Sequence, residues 1–178
     1  MSSFRRVDEI LAAYEDHVEA LEHMFHARAA HAADPRSRLH QLTDAAIQVR
    51  LGQDREELDR WVVMMLVASF EATIRADALD RIQARTPDAV RRPLRDLYAK
   101  GKDRVRLDDL LAIWEAHAAV GATVKQNTRT VLKHRHWLAH GRRWTNKYGA
   151  FPTPHDVYAY LDDYQQTLRL SQIDYPRG

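Results

Sequence analysis

The sequence has 178 residues, a length typical of one domain with a continuous hydrophobic core. Hydrophobic residues make up 45% of it and charged residues 29%, which excludes an intrinsically disordered chain. The absence of cysteine excludes disulfides, zinc ribbons and thiol nucleophiles. The formal net charge is only +2, but the charges are unevenly distributed. We therefore expect a single domain spanning residues 1–178.

The charge asymmetry points to a polyanionic partner. Residues 1–90 carry a net charge of −5, residues 91–178 carry +7, and residues 91–147 alone carry +9. A basic half joined to an acidic half is typical of proteins that bind polyanions. The alternative is that the arginines of this half form an ordinary solvated surface. Both interpretations apply to the cluster Arg91, Arg92, Arg95, Lys100, Lys102, Arg104 and Arg106.

Neither the N-terminal segment nor the longest apolar run indicates a membrane protein. The N-terminal sequence MSSFRRVDEI lacks the apolar core of a signal peptide. The longest apolar run, WVVMMLVASF at 61–70, is about half of the roughly 20 residues that a membrane-spanning helix needs. We expect a cytoplasmic protein with no membrane partner.

The first half of the chain is predicted to form three helices. Apolar residues recur at steps of three and four over residues 5–31, and Asp34-Pro35 breaks this first helix. A shorter helix is predicted over about 36–50, ended by Gly52. Asp54 is the predicted N-cap of the third helix. That helix runs to about Arg85, is apolar nearly all round over 61–70, and is predicted to be the central helix.

The second half is predicted to form four helices. Gly141 is the expected stop of the third of these, and Thr153 with Pro154 is the expected cap and start of the last. No alternation typical of a strand occurs. The sequence thus predicts an all-α fold, a compact antiparallel helical bundle. The predicted ranges are about 87–100, 107–119, 122–139 and 154–168.

The stretch KHRHWLAHGRRW, residues 133–144, combines three histidines, three arginines and one lysine. Arg135 and His140 would point about 140° apart on a straight helix. They would converge if the helix loosens before Gly141, or across a symmetric dimer. Arginine offers a planar fork to phosphate oxygens, and histidine exchanges a proton near neutral pH. Together they suffice for metal-free cleavage of an RNA phosphodiester.

The segment RHWLAHG resembles the Arg-x4-His signature of the HEPN superfamily. Its members are all-α domains, many of them metal-independent endoribonucleases of toxin–antitoxin, phage-defence and CRISPR systems. His136 fits the polar residue that follows the arginine in that family, and Trp137, Leu138 and Ala139 fit the apolar gap. The helix WVVMMLVASFEATIR resembles the second core helix of the family, whose apolar run often ends in an acidic residue, here Glu71.

The resemblance implies roles for these residues. Arg135 and His140 would be catalytic, His136 would orient them or bind RNA, and Glu71 would pair with Arg135. The product would be a 2′,3′-cyclic phosphate and a 5′-hydroxyl, formed without a cofactor. A homodimer and an antitoxin protein would be the partners. Some HEPN toxins carry a modified tyrosine two residues after the histidine; Arg142 stands there, which departs from that pattern.

The loop after residue 140 is a candidate RNA-binding surface. It interleaves basic and aromatic residues, which suits single-stranded RNA because bases stack and phosphates pair. Alternatively, aromatic residues such as Trp144 and Phe151 hold the loop against the core. The predicted RNA-binding residues are Lys133, Arg142, Arg143, Trp144, Lys147 and Tyr148.

Each of these features also has a plainer explanation. Basic residues stabilise any helix C-terminus through the helix dipole. His136 and His140 have the i, i+4 spacing of two metal ligands, but no third ligand is apparent nearby, so we expect no metal. Glu71 can form an i, i+4 ion pair with Arg75. The alternative functions are a non-catalytic RNA- or nucleotide-binding HEPN domain, and a structural helical adaptor whose basic half binds an acidic protein.

Overall fold

The protein is built from α-helices packed around one long central helix. The computed structural model describes residues 7–84, 89–101, 104–117, 120–140 and 148–168, and no β-strand occurs within these ranges. The predicted all-α helical bundle is confirmed. In chain order the helices are α1 (Val7–His26), α2 (Arg28–Ala33), α3 (Asp44–Gln83), α4 (Arg91–Gly101), α5 (Leu107–His117), α6 (Ala122–Ala139) and α7 (Pro154–Thr167).

Helix α3 is the centre of the bundle, as predicted. The six other helices all pack against it, and its residues Val63, Leu66, Phe70 and Ile74 are fully buried. Phe70 lies edge-on to Tyr164 of α7, with the ring centroids 5.7 Å apart. The run 61–70 is less uniformly buried than predicted, however, because two of its large apolar side chains are exposed.

The predicted boundary between the second and third helices, at Gly52 and Asp54, is wrong. Helix α3 runs through both residues, and its N-cap is Thr43, whose hydroxyl accepts a hydrogen bond from the Ala46 amide. A glycine inside a helix costs only about 1 kcal/mol, which packing along a 40-residue helix easily offsets. The Asp54 carboxylate instead pairs with Arg38 at 2.8 Å and with Arg50 at 3.4 Å.

The predicted first helix, residues 5–31, is divided in two. Helix α1 ends at His26, and α2 begins at Arg28 after a turn at Ala27. This bend follows from packing, because Phe25 before it and Ala32 after it both contact a small second core cluster. That cluster consists of Leu39, Ile47 and Leu51. The segment 36–43, predicted to be helical, is a series of turns.

The helices of the second half agree more closely with the prediction. Helix α6 has the predicted bounds, and α7 begins at Pro154 behind a Thr153 cap. Thr153 and Asp156 form a capping box, in which each side chain accepts a hydrogen bond from the backbone amide of the other at 3.1 Å. The predicted helix start at Pro87 and the predicted stop at Gly141 lie outside the described residues.

Helices α5 and α6 are arranged so that a groove opens between them. Each has close backbone contacts with α3, whereas in the described ranges α5 and α6 meet through side chains such as Arg129 and Glu115. Helix α5 ends at His117 and α6 begins at Ala122. Among the described helices, none is both long enough and apolar enough to cross a lipid bilayer.

Candidate functional site

The groove between α5 and α6 contains the predicted motif. It has a volume of about 770 Å³, with Val67, Glu71 and Arg75 of α3 along its base. One wall is formed by residues 104–108 and by α5. The other wall is formed by α6, which contributes Arg129, Leu132, Lys133, Arg135 and His136. Three of the four predicted catalytic or supporting residues therefore line one groove, and these are Glu71, Arg135 and His136.

The Glu71 carboxylate lies between two arginines. Its Oε1 atom accepts hydrogen bonds from Nε of Arg75 at 3.0 Å and from a terminal nitrogen of Arg75 at 2.7 Å. Its Oε2 atom is 3.9 Å from a terminal nitrogen of Arg135. The two sequence interpretations of Glu71, an i, i+4 pair with Arg75 and a pair with Arg135, are thus both present. Arg135 is 40% exposed, so its guanidinium remains accessible to a ligand in the groove.

His136 and His140 form a ring pair at the end of α6. Their centroids are 4.2 Å apart and their planes meet at 67°. The His140 amide donates to the His136 carbonyl at 3.2 Å, so the helical turn is regular up to this point. The helix therefore does not loosen to bring His140 toward Arg135. Within one chain, His140 is connected to the groove through His136, which lines it.

His134 faces the opposite side of α6 and is part of the core. It is fully buried, and its ring lies edge-on to Phe151 at 5.2 Å and to Tyr148 at 5.9 Å. Neither ring nitrogen has a hydrogen-bond partner in the described structure, and burial lowers the pKa of His134. Phe151 packs against the core, as its alternative interpretation predicted. Tyr148 also lines the groove and is 37% exposed.

The charge of the groove is positive. Among the described residues, six arginines and lysines line it against three carboxylates. Besides the pair of Glu71 and Arg75, Arg106 lies 3.4 Å from Asp108, and Arg129 lies 2.7 Å from Glu115 across the groove. Partners 14 residues apart give no periodic signal, so sequence reasoning missed the second of these.

Of the predicted RNA-binding residues, Lys133 and Tyr148 line the groove. The other four, Arg142, Arg143, Trp144 and Lys147, lie outside the described residues. Sequence reasoning gave Arg75 only as the ion-pair partner of Glu71 and missed its second contact, in which it donates to the Val105 carbonyl at 2.9 Å.

A metal centre is not apparent in the part of the chain that is described. It contains no group of three or more histidines and carboxylates close enough to bind one ion. His136 and His140 would supply two ligands, fewer than the three protein ligands of a catalytic zinc site.

Comparisons of the chain with protein-family models, with curated proteins and with solved structures give no match. The chemistry of the groove therefore has to be inferred from its own residues.

Proposed function

We propose that the chain is a single-domain, metal-independent endoribonuclease that cleaves single-stranded RNA or tRNA loops in the groove between α5 and α6. The observation that carries this proposal is that Arg135 and His136 line the same positively charged groove, with the ring of His140 against that of His136. A guanidinium beside imidazoles supplies both functions of metal-free RNA cleavage, stabilisation of phosphate charge and proton transfer.

In the proposed reaction, a neutral imidazole of the pair takes the proton of the ribose 2′-hydroxyl. The 2′-oxygen then forms a bond to phosphorus, and the bond from phosphorus to the 5′-oxygen breaks. The leaving 5′-oxygen takes up a proton from an imidazolium, which gives a 2′,3′-cyclic phosphate and a 5′-hydroxyl. Arg135 stabilises the negative charge on the non-bridging oxygens. Glu71 holds the guanidinium of Arg135 in position.

The preference for single strands is supported by the groove itself. Tyr148 presents a partly exposed ring at a wall that also carries Lys133. An aromatic ring stacks on an unpaired base, and a neighbouring cation binds the backbone. A base inside a duplex is already stacked and cannot use such a ring.

The resemblance to HEPN proteins further supports a cytoplasmic homodimer that acts as a toxin or phage-defence effector, with an antitoxin protein as a partner. A dimer surface is available on α3. Trp61 is 64% exposed and Met65 is 41% exposed, one helical turn apart. Large apolar side chains exposed side by side are typical of protein–protein contacts. The toxin role predicts that expression slows growth and that Arg135→Ala relieves the effect.

The decisive experiment is an incubation of purified protein with tRNA or total RNA in excess EDTA. Arg135→Ala and His140→Ala are compared with Arg36→Ala, which removes an exposed arginine on the turn between α2 and α3. We expect wild type and Arg36→Ala to leave cyclic-phosphate ends and the two motif variants to leave RNA intact. Equal cleavage by all four proteins would refute the site.

The second candidate function is a non-catalytic RNA-binding domain, and the excess of positive charge in the groove supports it as well. A wild-type protein that binds RNA without cleaving it would identify this function. If the protein neither binds nor cuts RNA and instead captures an acidic protein, the adaptor alternative holds. In that case substitution of His140 would change stability or binding of the acidic protein and would leave RNA unaffected.

A further inference from the structure

The cations of the groove differ in how far their charge is neutralised. Arg75 and Arg129 each donate to a carboxylate at 2.7 Å, and Arg106 lies 3.4 Å from Asp108. Arg104 and Lys133 have no carboxylate within ion-pair distance among the described residues, although both line the groove. Their charges are therefore the ones that remain to be matched by an anionic ligand, together with that of the more loosely paired Arg135.

The side chain of Arg104 is exposed, and the backbone beside it is anchored at Val105. The next residue, Val105, buries its side chain in the core at 5% exposure. The Val105 carbonyl accepts a hydrogen bond from Arg75 at 2.9 Å, and the other two nitrogens of that guanidinium bind Glu71. Arg75 thus joins the segment that carries Arg104 to the same carboxylate that contacts Arg135. Because the backbone is ordered in advance, binding a phosphate there costs little conformational entropy.

The two walls of the groove determine where a strand can pass. At the end where α5 is joined to α6, Glu115 and Arg129 form an ion pair across the groove, and Lys125 contacts the Glu115 carbonyl at 3.5 Å. The other end lies between Arg104, just before α5, and Lys133, in the last two turns of α6. A nucleic-acid strand at Arg135 therefore has its free path between these two cations, which have no carboxylate partner among the described residues.

We infer that Arg104 and Lys133 form a second phosphate-binding position, which holds the phosphodiester next to the one bound by Arg135. This inference rests on the proposed function, because it takes RNA as the ligand. It adds that the groove recognises at least two consecutive phosphates, with one cation on each wall. A substrate with a single phosphodiester would bind at Arg135 without using Arg104.

The test measures binding without cleavage, using 2′-O-methyl RNA, which lacks the attacking hydroxyl. A labelled 2′-O-methyl hexanucleotide is titrated by fluorescence anisotropy at several salt concentrations, and a 2′-O-methyl dinucleoside monophosphate is titrated by NMR. The proteins are wild type, Arg104→Gln, Lys133→Gln and the control Arg36→Gln. Thermal unfolding verifies that each variant is folded, which we expect because all three side chains are exposed.

We expect Arg104→Gln and Lys133→Gln each to lower the slope of the logarithm of the binding constant against log salt for the hexanucleotide. The change should be up to about 0.7, the value for one phosphate contact on a single strand, because the two cations share one phosphate. Binding of the dinucleoside monophosphate should be unchanged by Arg104→Gln, and Arg36→Gln should behave as wild type. Equal effects of Arg104→Gln on the two probes, or no effect on either, would overturn the second position while the proposed cleavage stands. If wild type binds neither probe, both proposals fail.

Discussion

The ring of His140 lies edge-on against the ring of His136, with 4.2 Å between their centroids. The contact follows from the regular last turn of α6, in which residues four apart lie on one face. His136 lines the groove, and the ring of His140 contacts that of His136 from the next turn of α6. We therefore expect the two imidazoles to act as one unit in the proposed reaction.

Acting as a unit predicts a specific pattern of kinetics. His136→Ala and His140→Ala should each lower kcat/KM for RNA cleavage by roughly 10²- to 10⁴-fold, the usual contribution of general acid–base catalysis. The double variant should be no slower than the slower single variant, because groups that act together are strongly non-additive. The measurement is initial-rate kinetics on a fluorogenic oligonucleotide.

The matched control is His23→Ala, an exposed histidine of α1 that pairs with Glu19 at 3.5 Å. It should cleave at the wild-type rate. Full activity of His136→Ala would contradict joint action of the two imidazoles, and His136 would then only line the groove. Strictly additive losses in the double variant would show that the two rings act independently.

Glu71 is expected to matter more for activity than for stability. Glu71→Gln keeps the shape of the side chain but removes the charge that holds Arg75 and Arg135. Partly exposed ion pairs contribute only about 0–1 kcal/mol to the free energy of unfolding. Misplacing a catalytic guanidinium by about 1 Å can cost up to roughly 10²-fold in rate. Urea unfolding and kcat/KM, measured on the same samples, separate the two effects.

Glu57→Gln provides the comparison for Glu71. Glu57 pairs with Arg60 at 3.0 Å on α3 outside the groove, so its loss should change neither quantity appreciably. A Glu71→Gln variant with wild-type kcat/KM would mean that Arg135 needs no support from this carboxylate.

The sequence predicted helices best where local signals and packing agree. Thr153-Pro154 and the apolar stripe that follows it define α7 almost to the residue. The Thr153 cap, the fixed backbone angle of Pro154 and the buried face of the helix all indicate the same start. The prediction at Gly52 was wrong because the small helix penalty of a glycine was taken as the end of a helix. Packing against the rest of the bundle continues the helix through this residue. The turn at Ala27 leaves no local signal, since it depends on the contact of Ala32 with a distant cluster.

The candidate site was predictable only in part, for the same reason. Residues 135–140 were singled out by a resemblance, since their spacing alone is a weak signal, and the i, i+4 rule identified the partner of Glu71. The assembly of α5, α6 and the 104–108 segment into one groove depends on contacts such as Arg75 to Val105, 30 residues apart. The sequence also gave no sign that His134 would be buried while its neighbours Lys133 and Arg135 line the groove.

His134 predicts a loss of stability in mild acid. Its folded-state pKa is lowered by burial from the ordinary value of 6.5, so below pH 6.5 the unfolded chain binds the proton and the folded chain resists it. The free energy of unfolding therefore falls as pH drops below about 6.5, by up to about 1.4 kcal/mol per pH unit until the folded ring also titrates. Above that pH the contribution is constant.

His134→Leu isolates this effect. Leucine fills similar space, does not titrate and removes two buried nitrogens that have no hydrogen-bond partner in the described structure. We expect the variant to be at least as stable as wild type at pH 7.5 and more stable than it at pH 5.5, measured by urea unfolding at both values. The other titrating groups are common to both proteins. If the free energy of unfolding changed with pH in the same way in both, the effect would not come from His134.

Trp61 and Met65 predict how the protein associates. They are exposed one turn apart on α3, and the next residues on that face, Ala68 and Ala72, are small. In a two-fold dimer the same stripe is used twice, so these residues lie on both sides of one continuous contact. A tryptophan can bury roughly 150–250 Å² by itself, a large share of the ~800 Å² per partner of a stable interface.

We therefore expect Trp61→Lys to convert the proposed dimer to a monomer in sedimentation-velocity experiments, without loss of helical circular dichroism, since the side chain is already 64% exposed in the single chain. Val49→Lys is the matched control, because Val49 is 61% exposed on α3 but outside this stripe. A wild-type protein that sediments as a monomer at tens of micromolar, or a Trp61→Lys protein that remains a dimer, would exclude this face as the interface. RNA cleavage by the monomeric variant would then show that one chain supplies a complete site, whereas its loss would place part of the site on the partner.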